Sequence, residues 1–167
     1  VGDVFQVENT TPAPDSREDL GYLGNEIRDR AGSDFSKNMF ENYWNGSGDV
    51  ELSGKKFAGV LMYVKENNPE ASKPNDITLK NNDGTTSTGT TRVVNFYNSK
   101  EYSLVFGRST LYYNSSGNIV GFYDTYDFDS KSWGTRSTEN EIKTRMVRYA
   151  SPSTAKPFKI RYGYSKR

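Results

Sequence analysis

Three aspartates fall within six residues of this chain: Asp124, Asp127 and Asp129, interleaved with Tyr123, Tyr126 and Phe128 in the stretch GFYDTYDFDSKSWGTR, Gly121–Arg136. Carboxylates this close can divide acid and base roles or hold a hard cation. On an extended segment, side chains alternate faces. Asp124, Tyr126 and Phe128 then share one face, and Tyr123, Asp127 and Asp129 the other. A bend near Thr125 or Tyr126 brings Asp124 and Asp127 together. Arg136 follows at the start of an expected helix, where its guanidinium and the first helical amides would receive a phosphate. The plainer alternative is a polar turn whose aspartates cap local amides while the aromatics pack.

Composition narrows the chemistry. The chain has 167 residues, no Cys and no His. That removes thiol nucleophiles, disulfides and a Ser-His-Asp triad, and it makes a zinc site a poor expectation. Any metal would be an oxygen-bound divalent cation, Mg²⁺ or Ca²⁺. Hydrophobic residues make up only 33%, but 12 Tyr and nine Phe supply the apolar area of a folded core. The net charge of +1 is uneven: from Lys131 onward, ten Lys/Arg face two Asp/Glu, leaving 12 against 19 in the remainder. A basic C-terminal third suits an anionic partner, or is a solvated face balanced by the acidic part.

The elements that must position Gly121–Arg136 are legible in outline. Residues 1–14 read as a tail or linker. Residues 15–167 read as a single domain, with a helical part at 15–66 and a β-rich part at 90–167. The first helix is expected from a cap at Asp15 or Ser16 to about Arg30, with Leu20, Leu23 and Ile27 on one side. Phe35, Met39, Phe40, Tyr43 and Trp44 recur at helical spacing over 34–44. Ser53 caps a third helix, with Phe57, Val60, Leu61 and Val64 as its buried stripe. Residues 67–74 are a polar loop, and the Gly/Thr/Asn-rich stretch 81–90 is a mobile loop or hairpin tip. Strands are expected at 92–97, 102–106, 109–114 and 119–123, the last two joined by the turn NSSGN at 114–118. Thr138-x-x-Glu141 is a capping-box pattern opening a helix to about Ala150 that would bury Ile142, Met146 and Val147. FKIRYGY, from Phe158, is a final strand. The expected fold is α+β: an N-terminal helical layer, an antiparallel meander, a helix and a last strand. No apolar run reaches membrane-spanning length. The opening Val1 in place of Met suits a domain of a longer protein or a processed terminus.

ENYWNGSGDVELSGKKF, STLYYNSSGNIVGFYDTYDFDSKSWGTRS, EIKTR and FKIRYGY together resemble the C-terminal toxin domains of Rhs-type and other polymorphic bacterial toxins, over about Asn38 to Tyr164. The resemblance implies an antibacterial effector carried on a larger secreted protein, delivered by contact-dependent or type VI secretion and matched by a cognate immunity protein. Within it, Asp124-x-Tyr126-Asp127 followed by Arg136 is similar to the signature of colicin M-like bacteriocins. That likeness implies hydrolysis of the phosphate linkage of lipid II, a lipid-linked anionic precursor at the membrane surface, in the periplasm and with a divalent cation. Asp124 and Asp127 would be the essential carboxylates, Tyr126 a supporting residue and Arg136 the phosphate clamp. Asp129 would join Asp124 and Asp127 at a metal. Two departures stand out: Thr135 occupies the position of the family's His, and the gap from Asp127 to Arg136 is longer. Nucleic acid is not the substrate on this reading. The alternatives are an intracellular nuclease-type toxin, a non-enzymatic toxin acting on an envelope target, and a structural domain of a larger secreted protein.

Overall fold

The structure, a computed structural model, describes residues 17–67, 72–128 and 138–164. The chain opens with α1 (Gly21–Asp29) and α2 (Asp34–Asn45). Next come the two-residue strand β1 (Val50–Glu51), α3 (Gly54–Asn67), and a meander of β2 (Asn75–Lys80), β3 (Thr86–Asn95), β4 (Arg108–Asn114) and β5 (Ile119–Tyr126). Helix α4 (Thr138–Ala150) and strand β6 (Phe158–Gly163) complete it. The strands form one sheet in the order β1-β6-β5-β4-β3-β2. The β1–β6 pair is parallel and the others are antiparallel. The architecture is α+β, with helices at the N-terminal end followed by antiparallel strands.

Helix α2 forms where the local signals agree. Ser33 is extended at the N-cap and its Oγ accepts the Ser36 N–H at 3.1 Å, while Asp34 sits in the positive first turn. Gly46 ends the helix in the left-handed region at φ 63°; a Cβ there would lie 2.2 Å from the Thr154 carbonyl oxygen, so this closure needs glycine. The stripe Met39, Phe40, Tyr43 and Trp44 is buried. Helix α3 starts as expected, with the Lys56 N–H donating to Ser53 Oγ at 3.1 Å, and buries Phe57, Val60 and Val64. Together these stripes share one core with Leu111, Phe122 and Ile160 on the sheet. Phe57 stacks on Tyr162 at 4.1 Å and meets Phe122 edge-on at 6.1 Å. Truncating Phe122, which is fully buried, would cost about 3–5 kcal/mol.

Several local expectations are corrected. Helix α1 begins at Gly21; the caps proposed at Asp15 and Ser16 lie outside the described residues. The N-cap is Leu20, without a side-chain cap, and Asp19 before it accepts the Gly21 N–H at 2.9 Å. Leu23 is exposed, and the helix is held instead by buried Arg28, whose Nη1 meets Glu41 at 2.7 Å. Residues 101–105 are turns, so 102–106 is not a strand. Tyr102, Val105 and Phe106 are buried at spacings of three and four, and Ser99 Oγ accepts the Tyr102 N–H, which curls the backbone. The polar stretch from Asn75 is a strand, paired with the Thr/Gly-rich start of β3 around a tip at 81–85. In α4, Val147 packs on the core while Met146 is exposed; the Ile142 side chain lies outside the described residues.

Candidate functional site

The β4–β5 hairpin sets where Asp124 points. Its turn closes on Asn114, whose Oδ1 accepts the N–H groups of Ser116 and Asn118 at 3.0 and 2.9 Å, with Gly117 at φ 82°. Tyr113 pairs with Ile119, but the next pair is Tyr112 with Gly121. Val120 is therefore an extra residue, a β-bulge. Had the first register continued, Asp124 would lie opposite Arg108. With the bulge it lies opposite Ser109, and the Ser109 Oγ donates to Asp124 Oδ2 at 2.7 Å. Along β5, Phe122, Asp124 and Tyr126 face the helix-covered core, and Tyr123 and Thr125 face the other way.

Asp124 is 8% exposed. Its Oδ1 accepts the Thr125 N–H at 2.7 Å, so both oxygens are occupied. Burial pushes its pKa up to about 7. The hydrogen bonds from Ser109 and from the Thr125 N–H pull the other way, the Asp127 charge adds to the rise, and the Gly107 N–H opposes it. Near neutral pH this carboxyl therefore exists in both protonation states.

A cavity of about 650 Å³ opens where β4 begins and β5 ends. Asp124 and Asp127 both line it, as do Arg108, Tyr123, Tyr97 and Leu104. Arg108 is exposed at the first position of β4. On the rim, Thr125 Oγ1 and the Tyr123 phenol lie 3.5 Å apart. Tyr126 belongs chiefly to the core: its ring stacks on Phe158 at 4.9 Å and meets Phe128 and Tyr43 at 5.5 and 6.0 Å. Burial, then the neighbouring Tyr43, raises its phenol pKa above the ordinary value. Tyr126 thus positions the strand end and keeps its proton. Asp129 and Arg136 lie outside the described residues.

The described donors do not fit a resident hard cation. A divalent ion prefers charged, open oxygen ligands. Asp124 has both oxygens engaged by protein donors, and burial disfavours its ionised form. Among the described residues no three carboxylates come together as a ligand set. What the site does offer is one protonatable acid, one second carboxyl group and one cation around a cavity.

Of the expected cluster, Asp124, Tyr126 and Asp127 all line the cavity, Tyr126 with its ring packed into the core, and three further residues join them. Asp124 and Asp127 share the cavity. Arg108, Ser109 and Tyr97 were not singled out by residue type. Counting pairs outward from the NSSGN turn brings β4's first residues to Asp124, but the bulge decides between Arg108 and Ser109. No family model, curated protein or solved structure matches the chain.

Proposed function

We propose that this chain is the toxin domain of an antibacterial effector that hydrolyses the phosphate linkage of a lipid-linked cell-wall precursor, lipid II, in the periplasm. The observation that carries the chemistry is Asp124, a carboxyl with a pKa pushed up to about 7 that shares a cavity with Asp127. The resemblance to polymorphic toxins and to the Asp-x-Tyr-Asp signature supports the substrate and the setting. On this reading the domain travels on a larger secreted protein and is neutralised in the producing cell by a cognate immunity protein.

The described residues supply an acid–base hydrolysis. Arg108 pairs with the phosphate and balances its charge. Asp127 accepts a proton from the attacking water as its oxygen bonds to phosphorus. Protonated Asp124 donates to the departing oxygen as the phosphorus–oxygen bond breaks. The cycle leaves Asp124 ionised and Asp127 protonated, and proton exchange with solvent restores both.

Purified lipid II incubated with the chain tests this directly. Cleavage that is lost in Asp124→Asn and Asp127→Ala, with the circular dichroism spectrum unchanged, is the expected result; uncleaved lipid II with wild-type protein sinks it. A second reading, a metal-independent nuclease toxin, draws on the same acid–base pair. Expression with and without a periplasmic signal separates the two, because toxicity confined to the cytoplasm favours the nuclease.

A further inference from the structure

The segment between β3 and β4 is a fixed platform. Phe96 and Phe106 are fully buried, and Tyr102 and Val105 are nearly so. The backbone closes on itself: the Phe96 N–H donates to the Gly107 carbonyl at 3.0 Å, and the Tyr102 carbonyl accepts from Val105 and Phe106 at 2.9 and 2.8 Å. From this platform Tyr97 and Leu104 project 61% and 59% exposed, at the mouth of the cavity that holds Asp124 and Asp127. The Tyr97 ring rests against Gly107, where a Cβ would lie 3.5 Å from the phenol oxygen. An anchored loop that buries four large side chains and exposes two beside a reactive cavity has a surface made for contact.

Charge identifies the partner. Lys100 and Arg108 are exposed and join no ion pair among the described residues. The loop's one acidic residue, Glu101, is tied back by Lys56 at 3.0 Å. The loop therefore carries an exposed apolar pair and two exposed cations, of which Arg108 lines the cavity with that pair. Nucleobases would stack on Tyr97 but gain nothing of that kind from Leu104, which has no π-face. A tyrosine and a leucine beside cations suit the boundary between acyl chains and anionic headgroups.

We propose that the Tyr97–Arg108 loop docks the domain on an anionic lipid surface. Tyr97 and Leu104 enter the interface, Lys100 pairs with a headgroup phosphate, and Arg108, lining the cavity, meets the phosphate held at the membrane. This inference rests on the lipid-linked substrate reading and deepens it. Two side chains and two cations give weak, reversible docking that depends on lipid charge and on salt.

Co-sedimentation of the full chain with vesicles of phosphatidylcholine, with and without phosphatidylglycerol, tests it. The expected result is binding to the anionic vesicles only, weakening with salt. Tyr97→Ala with Leu104→Ala should lower the partition coefficient about tenfold, and Lys100→Gln about fivefold. All three positions are exposed, so an unchanged melting curve is expected to show the fold intact. Equal or absent binding to both vesicle types overturns the proposal, as do loop variants that bind like wild type. Binding to a single-stranded oligonucleotide that Tyr97→Ala abolishes, without vesicle binding, assigns the loop to nucleic acid and also overturns it. Vesicle binding without lipid II cleavage defeats the hydrolase reading and leaves the docking standing. Cleavage without vesicle binding defeats the docking alone.

Discussion

Two aspartates on either side of β6, at nearly the same level of the sheet, have similar partners and opposite behaviour. Asp49, just before β1, accepts the Lys159 N–H at 2.9 Å and an Arg161 Nη at 3.0 Å. Asp124, on β5, accepts the Thr125 N–H and the Ser109 hydroxyl, both at 2.7 Å. Each carboxylate thus takes a backbone and a side-chain donor, and the Gly107 N–H acts on Asp124 as well. The Lys159 N–H hydrogen bond, with Arg161 beside it, holds Asp49 below the usual carboxylate range. Burial lifts Asp124 to about 7 despite its shorter bonds. Hydrogen-bond count does not decide the shift. Solvent reaches Asp49 and a guanidinium faces it, whereas Asp124 has a neutral hydroxyl and a second carboxyl group nearby. The first arrangement pins a strand edge, and the second keeps a proton available.

The sharpest way to break this contrast is to replace each aspartate with asparagine. Asp124→Asn should lower hydrolysis by about 10²–10⁴-fold, the usual worth of a general acid. The amide has the same shape and its oxygen can still accept the Thr125 N–H, so the fold should survive. Asp49→Asn should leave the rate unchanged, and equal losses in the two variants would erase the distinction.

A second effect is pH-dependent stability. The folded pKa of Asp124 lies above its ordinary value of 3.8, so the folded state holds this proton where the unfolded chain releases it. Its contribution to stability is full below about pH 4 and is lost as pH rises from there through about 7, an effect of the order of 4 kcal/mol. Urea unfolding at pH 5 and pH 8 should show this group's share of the loss in wild type and not in Asp124→Asn; parallel profiles would contradict the assigned shift.

Ser109→Ala comes next. It removes the donor to Oδ2 and should destabilise the protein by about 1–3 kcal/mol at pH 8, with less effect at pH 5, where the acid is neutral. It should also move the upper limb of the pH–rate profile to higher pH. A rate profile that does not move would show that the hydroxyl does not tune Asp124. The smallest expected effects are two. Asp49→Asn should not alter the urea midpoint in 1 M salt, about the level that screens exposed ion pairs. Treatment with EDTA should leave hydrolysis unchanged, and lost activity restored by Mg²⁺ or Ca²⁺ would return a metal to the site.

Much of the fold is legible because its signals are local. The stripe Met39–Phe40–Tyr43–Trp44 repeats within one helix, and Ser33 and Gly46 bound it with side-chain and backbone chemistry that needs no distant partner. The hairpin at Asn114–Asn118 is equally self-contained. The strand from Asn75 was hidden because its alternation is thin and its pairing with Thr86–Asn95 supplies the order. Tyr102–Phe106 misled because a short aromatic run has no period of its own until Ser99 curls it. The site was half visible: the carboxylates are conspicuous, but Arg108 and Ser109 gain meaning only from their position across the hairpin.

The amino-acid order by itself determined the α+β layout, the exclusion of histidine and cysteine chemistry, and the concentration of carboxylates around Asp124. Those depend on residue identity and spacing along one chain. Tertiary structure decided that Val120 bulges, that Ser109 rather than Arg108 meets Asp124, and that Tyr126 packs its ring into the core at the edge of the cavity that Asp127 also lines. It also decided the protonation of Asp124, because desolvation depends on the helices, loop and strands that close around it, and no spacing in the sequence records how much water they exclude.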